Sequence, residues 1–196
     1  IPTTAGATVT RAAETLTVAA ADMPAYTTAV SIQTDGRMTY ADADSFNTVS
    51  FARWLLDNSN YISAEIDTNG TDIGQFRVQQ WDSGVQDTVT GPIDSYSPGI
   101  NVPFNISSRY GSTFLNGAYE GTLMTANTTP VALPDLSSTD FVIGYKFMGN
   151  LGKVRVWADD LGDTGIVEAS APSTEPSLSL TFDGSSLSFT VTDWSE

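Results

Sequence analysis

The chain has 196 residues, no cysteine and no histidine, and sets 8 Lys+Arg against 23 Asp+Glu for a formal net charge of -15. A chain of this length buries roughly 70% of its unfolded surface, so apolar packing alone builds a core, without disulfides or thiolate metal sites. The missing histidines exclude Ser-His-Asp and Cys-His nucleophile systems, imidazole-bound zinc and the usual neutral-pH base, and the acidic surface repels nucleic acid and anionic membranes.

No apolar run approaches the roughly 20 residues of a membrane-spanning helix, so no membrane insertion is expected. No signal-peptide core is visible, and a start at Ile1 is what a processed or excised piece is expected to show. Helix signals are nearly missing. Residues 11–16 (RAAETL) are the one short candidate, and their Thr-rich flanks favour extended structure. Ser, Thr, Val, Ile and aromatic residues dominate, with turn residues every 8–12 positions, the cadence of an antiparallel two-sheet β-sandwich.

In chain order, 28–33 (TAVSIQ) leads through an Asp35-Gly36 turn into 37–40, a predicted hairpin. Residues 49–56 and 61–67 flank Asp57-Asn58-Ser59-Asn60, a second hairpin. In its second strand Ile62, Ala64 and Ile66 share one face, and Ser63, Glu65 and Asp67 share the other. The segment 67–72 (DTNGTD) turns, with Asn69-Gly70 read as a type I′ turn, into 74–81, where Phe76 and Val78 face away from Arg77 and Gln79. A strand at 85–90 follows, then a Pro/Gly/Ser loop at 91–101. Strands at 104–110 and 113–115 precede an Asn116-Gly117 turn and a strand at 118–123. After a loop at 126–138 come strands at 141–147 and 151–157. Prolines mark 171–177 (APSTEPS) as a linker, and 178–182 pairs with 187–191. The expected domains are a sandwich over 1–170, a linker over 171–177 and a C-terminal β-hairpin extension over 178–196. An isolated hairpin is marginal in water, so it is expected to pack on the body or on a neighbouring chain.

Four segments carry a resemblance. Residues 51–67 (FARWLLDNSNYISAEID) resemble paired strands of concanavalin A-like, laminin-G-like domains that turn through a polar loop. Residues 101–117 (NVPFNISSRYGSTFLNG) are similar to the hairpin of those domains that ends in Asn-Gly, with Phe104 where many members carry Trp or His. Residues 141–166 resemble their closing stretch, with Gly162 in a Ser/Thr position. Residues 10–18 (TRAAETLTV) resemble the lead-in of such domains in structural proteins of tailed bacteriophages and gene transfer agents. The resemblance implies a jelly-roll sandwich of two antiparallel sheets. That fold hosts lectins, glycanases, adhesion modules and virion parts alike.

Three site chemistries are weighed on the residues. Glu65 and Asp67 place two acids on one strand face, as a glycosidase pair requires, but Gly70 stands where a third acid is expected, and a solvated face is the plainer reading. Asp67, Asn69 and Asp72 offer hard oxygen donors for Ca²⁺, although glycine falls at the wrong place for an EF-hand. Asp57, Asn58 and Asn60, or Asp42 and Asp44, offer similar donors. Among Trp54, Trp81, Trp157, Trp194, Tyr61, Tyr96, Tyr110 and Tyr119, Tyr96 lies in a loop and is the glycan-contact candidate. Trp54 and Trp157 read as packing residues.

The resemblance therefore implies a non-enzymatic virion structural protein of a tailed phage or gene transfer agent. It would be an exterior tail or capsid-decorating module, a homo-oligomer touching other virion proteins and host-surface glycans through multivalent contacts. The alternative expectation is a carbohydrate-binding or adhesion module of a secreted or cell-surface bacterial protein.

Overall fold

The structure, a computed structural model, describes residues 16–40, 48–172, 177–182 and 187–192. All of the candidate helix over 11–16 except Leu16, which opens a strand, lies outside them, as do the oxygen donors Asp42 and Asp44 and Trp194. Eleven strands build the sandwich: β1 (Leu16–Val18), β2 (Ala29–Tyr40), β3 (Thr48–Asp57), β4 (Asn60–Asp67), β5 (Phe76–Asp82), β6 (Val85–Thr90), β7 (Gly99–Gly111), β8 (Leu115–Tyr119), β9 (Thr122–Leu123), β10 (Phe141–Ile143) and β11 (Gly149–Trp157). One sheet runs β1-β10-β3-β4-β5-β6 and the other β11-β2-β7-β8-β9. Every pairing is antiparallel, a jelly-roll sandwich. Beyond it β12 (Ser177–Phe182) pairs with β13 (Leu187–Thr192).

Alternation in each strand supplies the core between the sheets. Trp54, Ile62, Ile66, Phe76 and Val78 come from the six-stranded sheet, and they meet Ile32, Met38, Ile106 and Tyr110 from the five-stranded one. A register shift between Ser50 and Ala52 turns Phe51 inward as well. Its ring sits 4.6 Å from that of Phe104, across the gap between the sheets. Each such ring, fully buried, contributes about 1.5–3 kcal/mol.

The long loop between β9 and β10 is fastened by polar side chains. Trp54 donates Nε1–H to the Thr139 carbonyl at 2.9 Å. The Gln80 amide donates to the carbonyls of Gly111 at 3.0 Å and Val131 at 2.6 Å.

Several expected turns are something else. Asp35-Gly36 lies inside the unbroken twelve-residue strand β2. A Cβ on Gly36 would stand 2.2 Å from the Asn150 carbonyl oxygen, so this glycine admits β11 alongside β2. Asn116-Gly117 likewise sits within β8, where a Cβ on Gly117 would meet Val78 at 2.7 Å and Met124 at 2.9 Å. At 67–72 the backbone closes from Asp72 N–H to the Asn69 carbonyl at 2.8 Å. Neither Asn69 nor Gly70 has the positive φ that a type I′ turn requires. Left-handed pairs occur instead at Ser83-Gly84 (φ 52 and 82), between β5 and β6, and at Glu120-Gly121 (φ 48 and 74), between β8 and β9.

The expected strand over 141–147 ends at Ile143, and Gly144 to Phe147 close a turn with a 3.0 Å backbone hydrogen bond. One helix went unpredicted, α1 (Gly162–Ser170), whose two glycines and first-turn Asp and Thr give it low intrinsic propensity. Docking holds it. Ile166 is fully buried beneath it. Arg109 on β7 pairs with Asp160 at 2.9 Å and Asp163 at 2.8 Å, and Asn116 donates to Asp163 at 2.8 Å. The helix thus covers part of the outer face of the five-stranded sheet and does not reach the six-stranded one.

Candidate functional site

The outer face of the six-stranded sheet is a grid, because antiparallel register aligns outward residues in rows across the strands. One row is Arg53, Ser63, Gln79 and Thr88, from β3 to β6. On one side of it Tyr61, Trp81 and Gln86 form a second row, and on the other Ser50, Glu65, Arg77 and Thr90 form a third. The turn after β10 folds Tyr145 and Lys146 against the β3 end, tied by a 3.0 Å hydrogen bond from Ser50 N–H to the Tyr145 carbonyl. Arg53, Tyr61, Glu65, Gln79, Gln86 and Tyr145 are among the residues that line a shallow depression of about 360 Å³.

The two arginines differ in their partners. Arg77 donates Nη2–H to Glu65 at 2.8 Å and pairs through Nη1 with Asp67 at 2.5 Å. One guanidinium thereby holds both acids, and neither stands free as a general acid or base. Burial pushes the Glu65 carboxyl above its ordinary range, an effect that the facing Arg77 opposes but does not cancel.

Arg53 has no carboxylate partner among the described residues, and neither has Lys146. The Arg53 guanidinium carbon lies 5.1 Å from the Tyr61 ring centroid and 5.4 Å from that of Tyr145, within cation–π range of both. Tyr61 stacks in turn on Trp81, with centroids 5.5 Å apart and planes 19° apart. Burial, and then the neighbouring Glu65, raise the Tyr61 hydroxyl, so it stays protonated as a donor. It reaches Gln79 Oε1 at 3.4 Å, and the Gln79 amide nitrogen makes no hydrogen bond to the described residues. Beneath the depression the Ser63 hydroxyl is buried without a partner. The arrangement is a preformed platform: a guanidinium that forms no ion pair with the described residues, two tyrosine rings beside it, and a glutamine amide nitrogen without a partner among them. Such a surface suits a small polar ligand carrying a negative charge.

The residues singled out on the sequence fall elsewhere or in other roles. Asp67 Oδ1 accepts the Asn69 N–H at 2.8 Å and Oδ2 meets Arg77, while Asn69 and Asp72 close the adjoining turn. Among the described residues no group of three or more acidic side chains is placed to hold a metal ion. Asp57 caps its own hairpin, accepting from Ser59 N–H at 2.7 Å and Asn60 Nδ2–H at 3.0 Å. Tyr96 is 4% exposed, with its ring in the core and its hydroxyl donating to Glu120 at 3.0 Å. Trp54 is buried, and Trp157 half-buried. Arg53, Gln86, Tyr145 and Lys146 carried no motif. The available signal was the two-residue period that puts Arg53, Glu65, Arg77 and Gln79 opposite the core residues of their strands.

No family model matches the chain, and no curated protein does. Solved structures match in fold. A leech intramolecular trans-sialidase complexed with 2,7-anhydro-Neu5Ac superposes with TM-score 0.58 at 14% identity, over 81% of this chain and 25% of that one. This chain thus spans a quarter of the leech protein's length. The CBM40 of a Ruminococcus gnavus IT-sialidase, bound to α2,3-sialyllactose, superposes with TM-score 0.57 at 13% identity, over 75% of this chain and 84% of that one. A botulinum neurotoxin type C structure, whose cell entry is described as dependent on two ganglioside molecules, follows at TM-score 0.50 and 11% identity, over 72% and 35%. At these identities the likeness is one of fold, a lectin-like β-sandwich.

Proposed function

We propose that this domain is a non-catalytic carbohydrate-binding module of a secreted or cell-surface protein, and that it holds acidic sugars on the outer face of its six-stranded sheet. The observation that carries the reading is Arg53. In a chain of net charge -15 it is a guanidinium lining a depression, flanked by Tyr61 and Tyr145, that forms no ion pair with any described residue. A carboxylated sugar supplies the missing anion, and sugar C–H faces suit the tyrosine rings. The absence of a free carboxylate pair at Glu65 and Asp67 supports binding without turnover. The structural likenesses point the same way, since the R. gnavus module is bound to a sialylated sugar and is spanned almost in full. They lend support to the carbohydrate-binding expectation and none to a place in a virion.

The test is a panel of immobilised acidic and neutral oligosaccharides probed with the wild-type chain and with Arg53→Ala. The wild type retains acidic sugars over neutral ones, and Arg53→Ala loses about tenfold to a hundredfold in affinity, the range of one charge-assisted hydrogen bond. Retention of no acidic sugar, or an Arg53→Ala variant that binds like wild type, overturns the proposal.

A further inference from the structure

The depression is longer than a single sugar ring needs, and its chemistry changes along its length. Its lining runs from Tyr145 and Lys146, beside β3, to Gln86 on β6. Three strand spacings separate those ends, about 14 Å in all. Arg53 and Lys146, which form no ion pair with the described residues, lie at the β3 end. The β5–β6 end carries Gln79, Gln86 and Thr88, with Trp81 beside them. Arg77 also belongs to β5, but Glu65 and Asp67 occupy it. One end therefore suits an anion, and the other offers polar side chains and no unpaired cation among the described residues.

Building on the acidic-sugar reading above, we infer that the depression holds two subsites, and that its ligand is an acidic oligosaccharide. A cationic subsite at Arg53 takes the acidic sugar, and a neutral subsite at Gln79 and Gln86 takes the sugar linked to it. A primary amide presents donors and an acceptor together, which suits the neighbouring hydroxyls of a neutral pyranose. Gln86 is exposed and donates only to Thr88 Oγ1 at 3.0 Å, leaving its carbonyl open. The Gln79 amide nitrogen lacks a hydrogen-bond partner among the described residues, on a side chain that lines the depression. Between the subsites stands Ser63, whose register partners are Arg53 on one side and Gln79 on the other. Its side chain is buried beneath the grid and small, so the surface between the two subsites is left to the larger side chains around it. A free acidic monosaccharide fills the cationic end alone.

Isothermal titration of the wild-type chain and of Gln86→Ala with N-acetylneuraminic acid, 3′-sialyllactose and lactose tests this. The wild type binds sialyllactose at least about tenfold more tightly than the free acidic sugar, and lactose more weakly than either. Gln86→Ala removes about fivefold of that gain and leaves the monosaccharide affinity unchanged, as expected for one hydrogen-bonding group. Equal wild-type affinity for the two acidic ligands, or a Gln86→Ala variant that weakens both alike, overturns the second subsite while leaving the acidic-sugar reading standing. Binding of neither acidic ligand overturns both.

Discussion

The guanidinium of Arg53 lies over the ring of Tyr61 at 5.1 Å, and Tyr61 stacks at 5.5 Å on Trp81, so a cation and two rings from three adjacent strands form one continuous layer. The layer fixes the direction in which Arg53 presents its donors. A cation–π contact at a half-exposed site is worth about 0.5–1 kcal/mol, and the stacked pair adds a similar amount. Tyr61→Ala should therefore lower acidic-sugar affinity about fivefold, whereas Tyr61→Phe, which keeps the ring, should stay within about twofold of wild type. Trp81 gives the readout, because its fluorescence reports on the ring stacked against it. Equal losses in the two variants would mean that the hydroxyl, and not the ring, positions Arg53.

Arg77 has a structural duty. It is the counter-ion of both Glu65 and Asp67, two largely buried carboxylates on one strand. Removing one partner of a buried pair leaves uncompensated charge, which costs about 3–5 kcal/mol. Arg77→Ala should lose about that much in urea unfolding, and adding Glu65→Gln and Asp67→Asn should restore more than half of it. A single-variant loss below about 1 kcal/mol would place the two acids in water rather than in the sheet.

The same cluster sets a pH dependence. Burial raises the Glu65 pKa in the folded state above its unfolded value, so between those two values the folded protein holds the proton more tightly. Stability linked to Glu65 is thus greatest below the ordinary glutamate range and falls as pH rises through the window up to the raised value. Glu65→Gln removes that slope. The difference in unfolding free energy between Glu65→Gln and wild type should shift in favour of the variant from about pH 4 to pH 7. A difference that is flat with pH would contradict the raised pKa.

Gly36 separates two readings of the same dipeptide. As a turn residue it would tolerate a methyl group in many conformations. As observed, a Cβ there collides with the Asn150 carbonyl oxygen at 2.2 Å and approaches Leu151 Cα at 3.1 Å, both backbone. Gly36→Ala should destabilise the chain by about 1–3 kcal/mol, the cost of overpacking against a group that cannot rotate away. A neutral effect in thermal unfolding would mean that β2 breaks at Asp35-Gly36 after all.

Local pattern made most of the sandwich legible. The hairpin of β3 and β4 reads directly from polar Asp57-Asn58-Ser59-Asn60 between alternating strands, and the inward set Ile62, Ala64 and Ile66 is the one observed in the core. Glycine misled where its reason was non-local: Gly36 and Gly117 sit in strands because another chain segment passes close by, Asn150 at the first and Val78 at the second, both remote in sequence. Helix α1 escaped because its stability comes from Ile166, Asp163 and Arg109 meeting across the fold, not from propensity. The candidate site was half-visible. The outward residues of β4 and β5 follow from period two, but the rows that join Arg53 to Ser63 and Gln79 need the register, and Tyr145 arrives from a turn some ninety residues further on.

The most direct test of the account is a two-dimensional NMR titration of the labelled chain with 3′-sialyllactose. The predicted result is a cluster of shifted amides at Arg53, Tyr61, Ser63, Gln79, Gln86 and Tyr145, with the five-stranded sheet unmoved. Shifts confined to the groove beside β2 and β11, at Asp35, Asn105 and Lys153, would place the ligand on the opposite sheet and contradict the account.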